Sequence, residues 1–232
     1  MYFCHVLSYF TYVPDNNFEQ ALIDLGYDDV LNDYVLTSNI DTITNLNVDG
    51  LSITDLTGIE DFVGLTELNC DHNQIVNIDI SQNVNLIIFH GSDNLLSALD
   101  VSQNINLQLL YVWQNNLSNI NLTQNVNLKW LELGHNQLTQ LNVSQNILLY
   151  DIFCWENQLT NIDVTNNPNL LTLHVMDNLL TEINITNNPN LYNFYCDNNQ
   201  ITSIDLSQHT NLNRFYCNNN NGSMSDIVGN QI

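Results

Sequence analysis

Leucine returns every 21 residues along most of the chain, at Leu65, Leu86, Leu107, Leu128, Leu149, Leu170, Leu191 and Leu212, and each one opens the same run of apolar and polar positions. In the copy Leu128-Lys-Trp-Leu131-Glu-Leu133-Gly-His-Asn136-Gln-Leu138, Leu131 and Leu133 stand two apart, so a strand through them turns both side chains to one face. The second half of each copy alternates again, with Leu141 and Val143, Ile162 and Val164, Ile183 and Ile185, or Ile204 and Leu206. Every copy thus predicts two inward-facing extended segments joined by corners. One coil cannot bury both segments by itself, so the core has to come from stacking neighbours.

A fixed period of this length carrying L-x-x-L-x-L-x-x-N-x-L is the signature of a leucine-rich repeat solenoid. The expected fold is a curved parallel β-sheet on the concave face, short extended and turn segments on the convex face, and a helical cap at the N-terminus. Residues 1–42 form the N-terminal segment with its cap. Residues 43–220 form the solenoid, with one 22-residue copy, seven 21-residue copies and one partial copy, and residues 221–232 form a tail. Asparagine marks the corners in two columns. Asn73, Asn94, Asn115, Asn136, Asn157, Asn178, Asn199 and Asn220 make the first; Asn83, Asn104, Asn125, Asn146, Asn167 and Asn188 make the second, which ends in His209. A turn inside a stack leaves backbone groups in need of partners, and an amide side chain offers donor and acceptor together, so both columns read as scaffold.

The ends depart from the pattern. Asp15 followed by Phe18, Leu22 and Leu25, then Gly26, predicts a short amphipathic helix with Asp15 as N-cap and Gly26 as its stop. From Ile43 to Leu65 runs an atypical copy with Leu46, Val48, Ile53 and Leu56 inward and a connector from Gly58 to Phe62. The last copy keeps its strand half, and Asp226 to Ile232 carries no pattern. An uncapped end presents strand edge and apolar core, so further repeats or a docking surface are expected there.

The chain carries 2 basic and 25 acidic residues, a net charge of −23, which repels nucleic-acid phosphates and anionic lipid alike. No apolar run is long enough to span a membrane, and the opening Met1-Tyr-Phe-Cys-His lacks the basic region and cleavage pattern of a signal peptide. Cys70, Cys154, Cys196 and Cys217 share the sixth position of their copies and read as buried small hydrophobes. Cys70 and Cys154, four coils apart, are separated by about 19 Å and cannot bridge. No cysteine spacing suits a metal and no cofactor is expected. His90 and His174 share a column but also lie four coils apart, and no motif with a catalytic mechanism is present, so the chain reads as non-enzymatic. Asp79, Asp100, Asn121, Asn142, Asp163, Asn184 and Asp205 form an oxygen-rich column, in which Asp79 and Asp100 raise the question of calcium.

Positions three, five and seven of each copy point away from the core. The candidate ligand-binding residues there are Ile88, Leu109, Tyr111, Trp113, Trp130, Glu132, Asp151, Phe153, Trp155, His174, Met176 and Tyr195. All three tryptophans fall on this one face, which is the composition of an interaction surface. Stacked aromatic residues also stabilise a sheet unaided. A protein or glycan ligand and a purely structural spacer therefore both stay open.

The string Tyr12-Val-Pro-Asp-Asn-Asn-Phe-Glu-Gln-Ala-Leu-Ile-Asp-Leu-Gly-Tyr-Asp, then Leu36-Thr-Ser-Asn-Ile40, then copies such as Ile162-Asp-Val-Thr-Asn-Asn-Pro-Asn-Leu-Leu, resembles secreted leucine-rich repeat proteins of Bacteroidetes-type bacteria. The 21-residue copies look like the nested subclass in which L-x-x-L-x-L-x-x-N alternates with L-x-x-L-D-L-x-x-N, and the copy through Leu56-Thr-Gly-Ile-Glu is similar to internalin repeats. The resemblance implies a secreted or cell-surface recognition or adhesion module. Relatives of that kind usually carry a signal peptide and often a sorting domain, neither of which is visible here.

Overall fold

The computed structural model describes residues 9–222 and a short strand at 227–228. The opening segment considered above as a leader, and most of the tail, lie outside the described residues. In chain order the elements are β1 (Phe10–Tyr12), α1 (Asn16–Asp24), β2 (Tyr34–Leu36), β3 (Asn45–Asn47), β4 (Glu67–Asn69), β5 (Ile88–His90) and β6 (Leu109–Tyr111). They continue with β7 (Trp130–Glu132), β8 (Asp151–Phe153), β9 (Thr172–His174), β10 (Asn193–Tyr195), β11 (Ile204–Asp205), β12 (Arg214–Tyr216) and β13 (Ile227–Val228). Strands β3 to β10 and β12 form one parallel nine-stranded sheet in sequence order. Its register follows the repeat, so Glu67, Ile88, Leu109, Trp130, Asp151, Thr172, Asn193 and Arg214 stand side by side. The fold is a leucine-rich repeat solenoid.

The middle residue of each strand and the opening leucine of each copy point inward. Leu68, Phe89, Leu110, Leu131, Ile152, Leu173 and Phe194 are buried, as are Leu65 to Leu191 in the opening column. Where the middle residue is large, the next inward one is small. A Cβ on Gly91 would lie 2.8 Å from the Phe89 ring, so the glycine is what admits the phenylalanine. The cysteines follow suit: Cys70, Cys154 and Cys196 are buried, Cys217 is half-buried, and all four are free thiols. Burial pushes the Cys154 thiol up to about 12.

The two asparagine columns do different work. In the first, Asn136 Nδ2 donates to Val112 O of the preceding coil at 2.9 Å and to Leu133 O and Gly134 O of its own, while its Oδ1 accepts from Leu117 N at 2.9 Å. The pattern recurs from Asn73 to Asn220. In the second column only the donor is used: Asn146 Nδ2 donates to Leu122 O and Asn125 O, and its buried Oδ1 has no hydrogen-bond partner. That explains His209, whose Nε2 lies 3.0 Å from Ile185 O, where a ring N–H does the same job as an amide. A third, exposed column was not recognised in the sequence: Asn85, Asn106, Asn127, Asn169 and Asn190 donate to the carbonyl 22 residues earlier.

The second halves of the coils are inward-facing but form little sheet. Among the described residues, apart from the bridge between Asn142 and Asp163, only β11 is paired there, with β13. Ile227 and Val228, unpatterned in sequence, thus lie beside Ile204 and Asp205. The oxygen-rich column makes turns: the Oδ1 of Asp79, Asp100, Asn121, Asn142, Asp163, Asn184 and Asp205 each accepts the N–H two residues on.

The cap is fixed by one carboxylate. Asp15 Oδ1 accepts Asn17 N and Phe18 N at the start of α1, and Oδ2 accepts Thr54 N, Thr54 Oγ1 and Asp55 N from the first coil. At the other end Gly26, with φ of 80°, closes the helix, with Gly26 N donating to Ile23 O and Tyr27 N to Leu22 O. Strands β1 and β2, which the sequence reading did not contain, pair antiparallel behind the helix.

Two outcomes follow in urea denaturation. Asn136→Ala leaves more backbone groups without partners than Asn146→Ala, and is expected to cost about 3 kcal/mol against about 2 kcal/mol; equal costs would contradict the division of labour between the columns. Burial raises the Asp15 carboxyl, but the hydrogen bonds from Thr54, Phe18 and Asp55 outweigh it and hold its pKa below the ordinary value. Its stabilisation is therefore complete above the unfolded carboxylate range and is lost as pH falls through the depressed folded value. Asp15→Asn is expected to destabilise by about 1 kcal/mol at neutral pH, with the difference from the parent shrinking on acidification.

Candidate binding face

Strand alternation turns the first and third residues of each strand outward, and the copy-to-copy register stacks them into continuous columns. Column five brings rings together along the stack. His90 and Tyr111 lie parallel with centroids 4.5 Å apart. Trp130, from column three, joins Tyr111 at 5.9 Å to Phe153 at 5.0 Å. His174 continues the series from Phe153 at 6.0 Å to Tyr195 at 4.9 Å, and Tyr195 stacks on Tyr216 at 5.4 Å. The ladder runs unbroken from β5 to β12.

Column seven is less exposed than alternation predicts, because side-chain size decides it. Ser92 and Gly134 are buried. A Cβ on Gly134 would collide with the Trp155 indole, so Trp155 leans back over that glycine, with its ring 6.2 Å from His135 and 6.1 Å from His174. Trp113 reaches back in the same way to His72, two coils away, at 6.5 Å. His72 and His135 were not among the sequence candidates. They sit in a column of left-handed residues, His72, Asp93, Gln114, His135, Glu156, Asp177, Asn198 and Asn219, with φ from 47° to 56°. No glycine marks this turn, which is why its conformation was invisible.

Of the twelve candidates, Ile88, Leu109, Tyr111, Trp113, Trp130, Glu132, Phe153, Trp155, His174, Met176 and Tyr195 are half-buried on this face. Asp151 departs from the expectation of an exposed acid: it is only 8 % exposed, standing between Trp130 and Thr172 of the adjacent strands. Several buried polar atoms on this side of the sheet lack hydrogen-bond partners, among them Ser92 Oγ, Asp151 Oδ1, His174 Nε2, Asn193 Oδ1 and Asp197 Oδ2.

The face is anionic and partly desolvated. Burial raises the carboxyl pKa of Asp71, Glu132 and Asp151; Ser92 N–H and His90 offset part of it at Asp71, the Trp130 indole at Glu132, and Thr172 at Asp151. Burial also lowers His174, which favours the neutral ring. Lys129 Nζ is taken up by Gln108 Oε1 at 2.9 Å, and Arg214 Nη1 points to Tyr195 OH at 3.5 Å. Flat rings beside carboxylates suit stacking on apolar sugar faces or capture of cationic groups. A groove of about 560 Å³ lies elsewhere, lined by Asn161, Ile162, Asp163, Thr165 and Glu182 to Asn184 on the second-half segments. Among the described residues no group of three His, Cys, Asp or Glu side chains could hold a metal ion, and no helix is long and apolar enough to cross a membrane.

No family model matches the chain. Over 76 residues it is 36% identical to internalin J of Listeria monocytogenes, an alignment spanning 33% of this chain and 8% of that protein. The solved functional domain of internalin J, described as including a cysteine ladder, matches with a TM-score of 0.87 and 34% identity over 92% of this chain and 48% of that one. Internalin C2 of the same organism matches in fold, with a TM-score of 0.77 and 23% identity over 86% of this chain and 92% of that one. The chain thus spans about half the length of the solved internalin J domain. Its leucine-rich repeat solenoid is similar to those of the internalins.

Proposed function

We propose that this chain is a non-catalytic recognition or adhesion module of a secreted or surface-exposed bacterial protein, binding a protein or glycan through the aromatic face of its sheet. The observation that carries the reading is the ring ladder from His90 to Tyr216, flanked by Trp113 and Trp155, on a face where buried polar atoms wait for partners. Large half-exposed aromatic side chains set among desolvated polar groups are the usual makings of a binding hot spot. The likeness to internalins supports the surface location. We also assign the Bacteroidetes-type origin and the nested repeat subclass, on the cap and repeat strings quoted above.

A second reading, a spacer within a larger surface protein, is favoured by one observation: the rings pack on one another at 4.5 to 6.0 Å and so stabilise the sheet themselves. Replacing Trp113 and Trp155 together by alanine separates the two. Recognition predicts that attachment to cultured cells or to immobilised glycans falls about tenfold or more, while circular dichroism still reports a folded solenoid. Undiminished attachment accompanied by a lower melting temperature would establish the spacer.

A further inference from the structure

We propose that Trp130, Glu132, Asp151 and Phe153 form a site for a basic side chain of a protein partner, above all an arginine guanidinium. This deepens the recognition reading and rests on it. The four residues occupy a two-by-two block of adjacent strands: Trp130 stands opposite Asp151, and Glu132 opposite Phe153. The rings share one diagonal at 5.0 Å, inclined by 30°, and the carboxylates share the other. Rings and acids thus alternate within one block of the outward face, the two rings in contact across its centre.

Asp151 Oδ1 shows that the block is incomplete by itself. The side chain is 8 % exposed, and that oxygen has no hydrogen-bond partner. A buried carboxylate oxygen left unpaired is costly, and an incoming donor relieves the cost. Thr172 bonds to the carboxyl but leaves Oδ1 unpaired, and no cationic side chain of the described residues reaches it. Lys129 is committed to Gln108 and Arg214 lies beside Tyr195, while the ion pairs among the described residues are all made by histidines, at His72, His90 and His135. Burial raises both carboxyls of the block, as expected where negative charge is desolvated without a counter-ion.

The chemistry selects a cation over a neutral sugar. A hydroxyl can satisfy the unpaired oxygen but cannot compensate two desolvated carboxylates, whereas a cation does so and gains attraction from the ring faces. A planar guanidinium also stacks on an indole while its fork of N–H groups reaches carboxylate oxygens, which a compact ammonium does less well. The net charge of −23 attracts such a partner from a distance.

The test uses a nona-arginine peptide and a chitotriose trisaccharide as probes, on a Trp113→Phe, Trp155→Phe variant that leaves Trp130 as the reporter. Calorimetry on the parent protein gives the same comparison without altering the tryptophans. Nona-arginine is expected to change Trp130 emission saturably, and the Glu132→Gln, Asp151→Asn pair to weaken binding about tenfold with the fold retained. The control pair Asp163→Asn, Asp205→Asn removes the same charge from turn positions where other copies already carry asparagine, and is expected to leave binding within about twofold. Equal weakening by the control pair would reduce the effect to net charge and overturn the site. So would binding that ignores Glu132 and Asp151. If chitotriose or cell attachment still depended on Trp113 and Trp155 in that case, the recognition reading would stand without this site; if neither did, both would fall.

Discussion

The structure depends on the satisfaction of backbone groups at one turn. After each strand the chain must bend sharply inside the stack, where water cannot reach the freed N–H and C=O groups. The first asparagine column meets that need by bonding at once to its own coil and to the one before, as Asn136 does with Gly134, Val112 and Leu117. Because each amide clasps two coils, it sets the spacing between them as well as the bend. The residue just before it then takes a left-handed conformation, which is unfavourable for His72, Gln114 or Glu156 taken alone. From His72 to Asn198 the N–H of each such residue is bonded to the following coil, as from Gln114 to Gly134 O, so the strained turn belongs to the ladder that stabilises it.

From this constraint the outward face follows almost mechanically. If every coil turns at the same place, equal positions lie opposite each other, and a residue type repeated at that position becomes a ladder. The rings of column five need only register, except at Glu132, where Trp130 of column three bridges Tyr111 and Phe153. What the register does not set is how each ring leans, and that is decided by the size of its neighbour. Trp155 lies back because Gly134 leaves room, and the same small-before-large order at Ser92 and Trp113 hides the serine hydroxyl. The surface is therefore built from pairs of neighbouring copies, and its detailed shape is a property of their differences.

This division explains what could be read in the chain. The leucine and asparagine columns, the inward cysteines, the Asp15 cap and the outward aromatic columns were legible because each recurs at a fixed period or matches a local rule. Features that occur once were not. The antiparallel pair of Phe10–Tyr12 with Tyr34–Leu36 has no second copy to betray it, and the pairing of Ile227 and Val228 with Ile204 and Asp205 joins segments that share no pattern. The acidic and amide column at Asp79 to Asp205 was visible, but its chemistry was open until each Oδ1 was seen to accept its own turn N–H. Burial of Asp151 was likewise hidden, since alternation assigns a residue to a face and says nothing of the bulk beside it.

Charge completes the picture. A stacked repeat multiplies any charged position into a column of like charges, so an acidic solenoid must either interrupt its columns or neutralise them. On the turn ridge the chain does both: asparagine interrupts the run of aspartates, and the acids that remain are stabilised by hydrogen bonds that lower the pKa of Asp79, Asp100, Asp163 and Asp205. On the sheet face the shift is opposite. Burial raises Asp71, Glu132 and Asp151, and the hydrogen bonds each receives only partly offset it. The same residue type is thus settled at the turns and unsettled on the face. That contrast, more than the net charge, is the physical reason to look for a partner on the side of the rings.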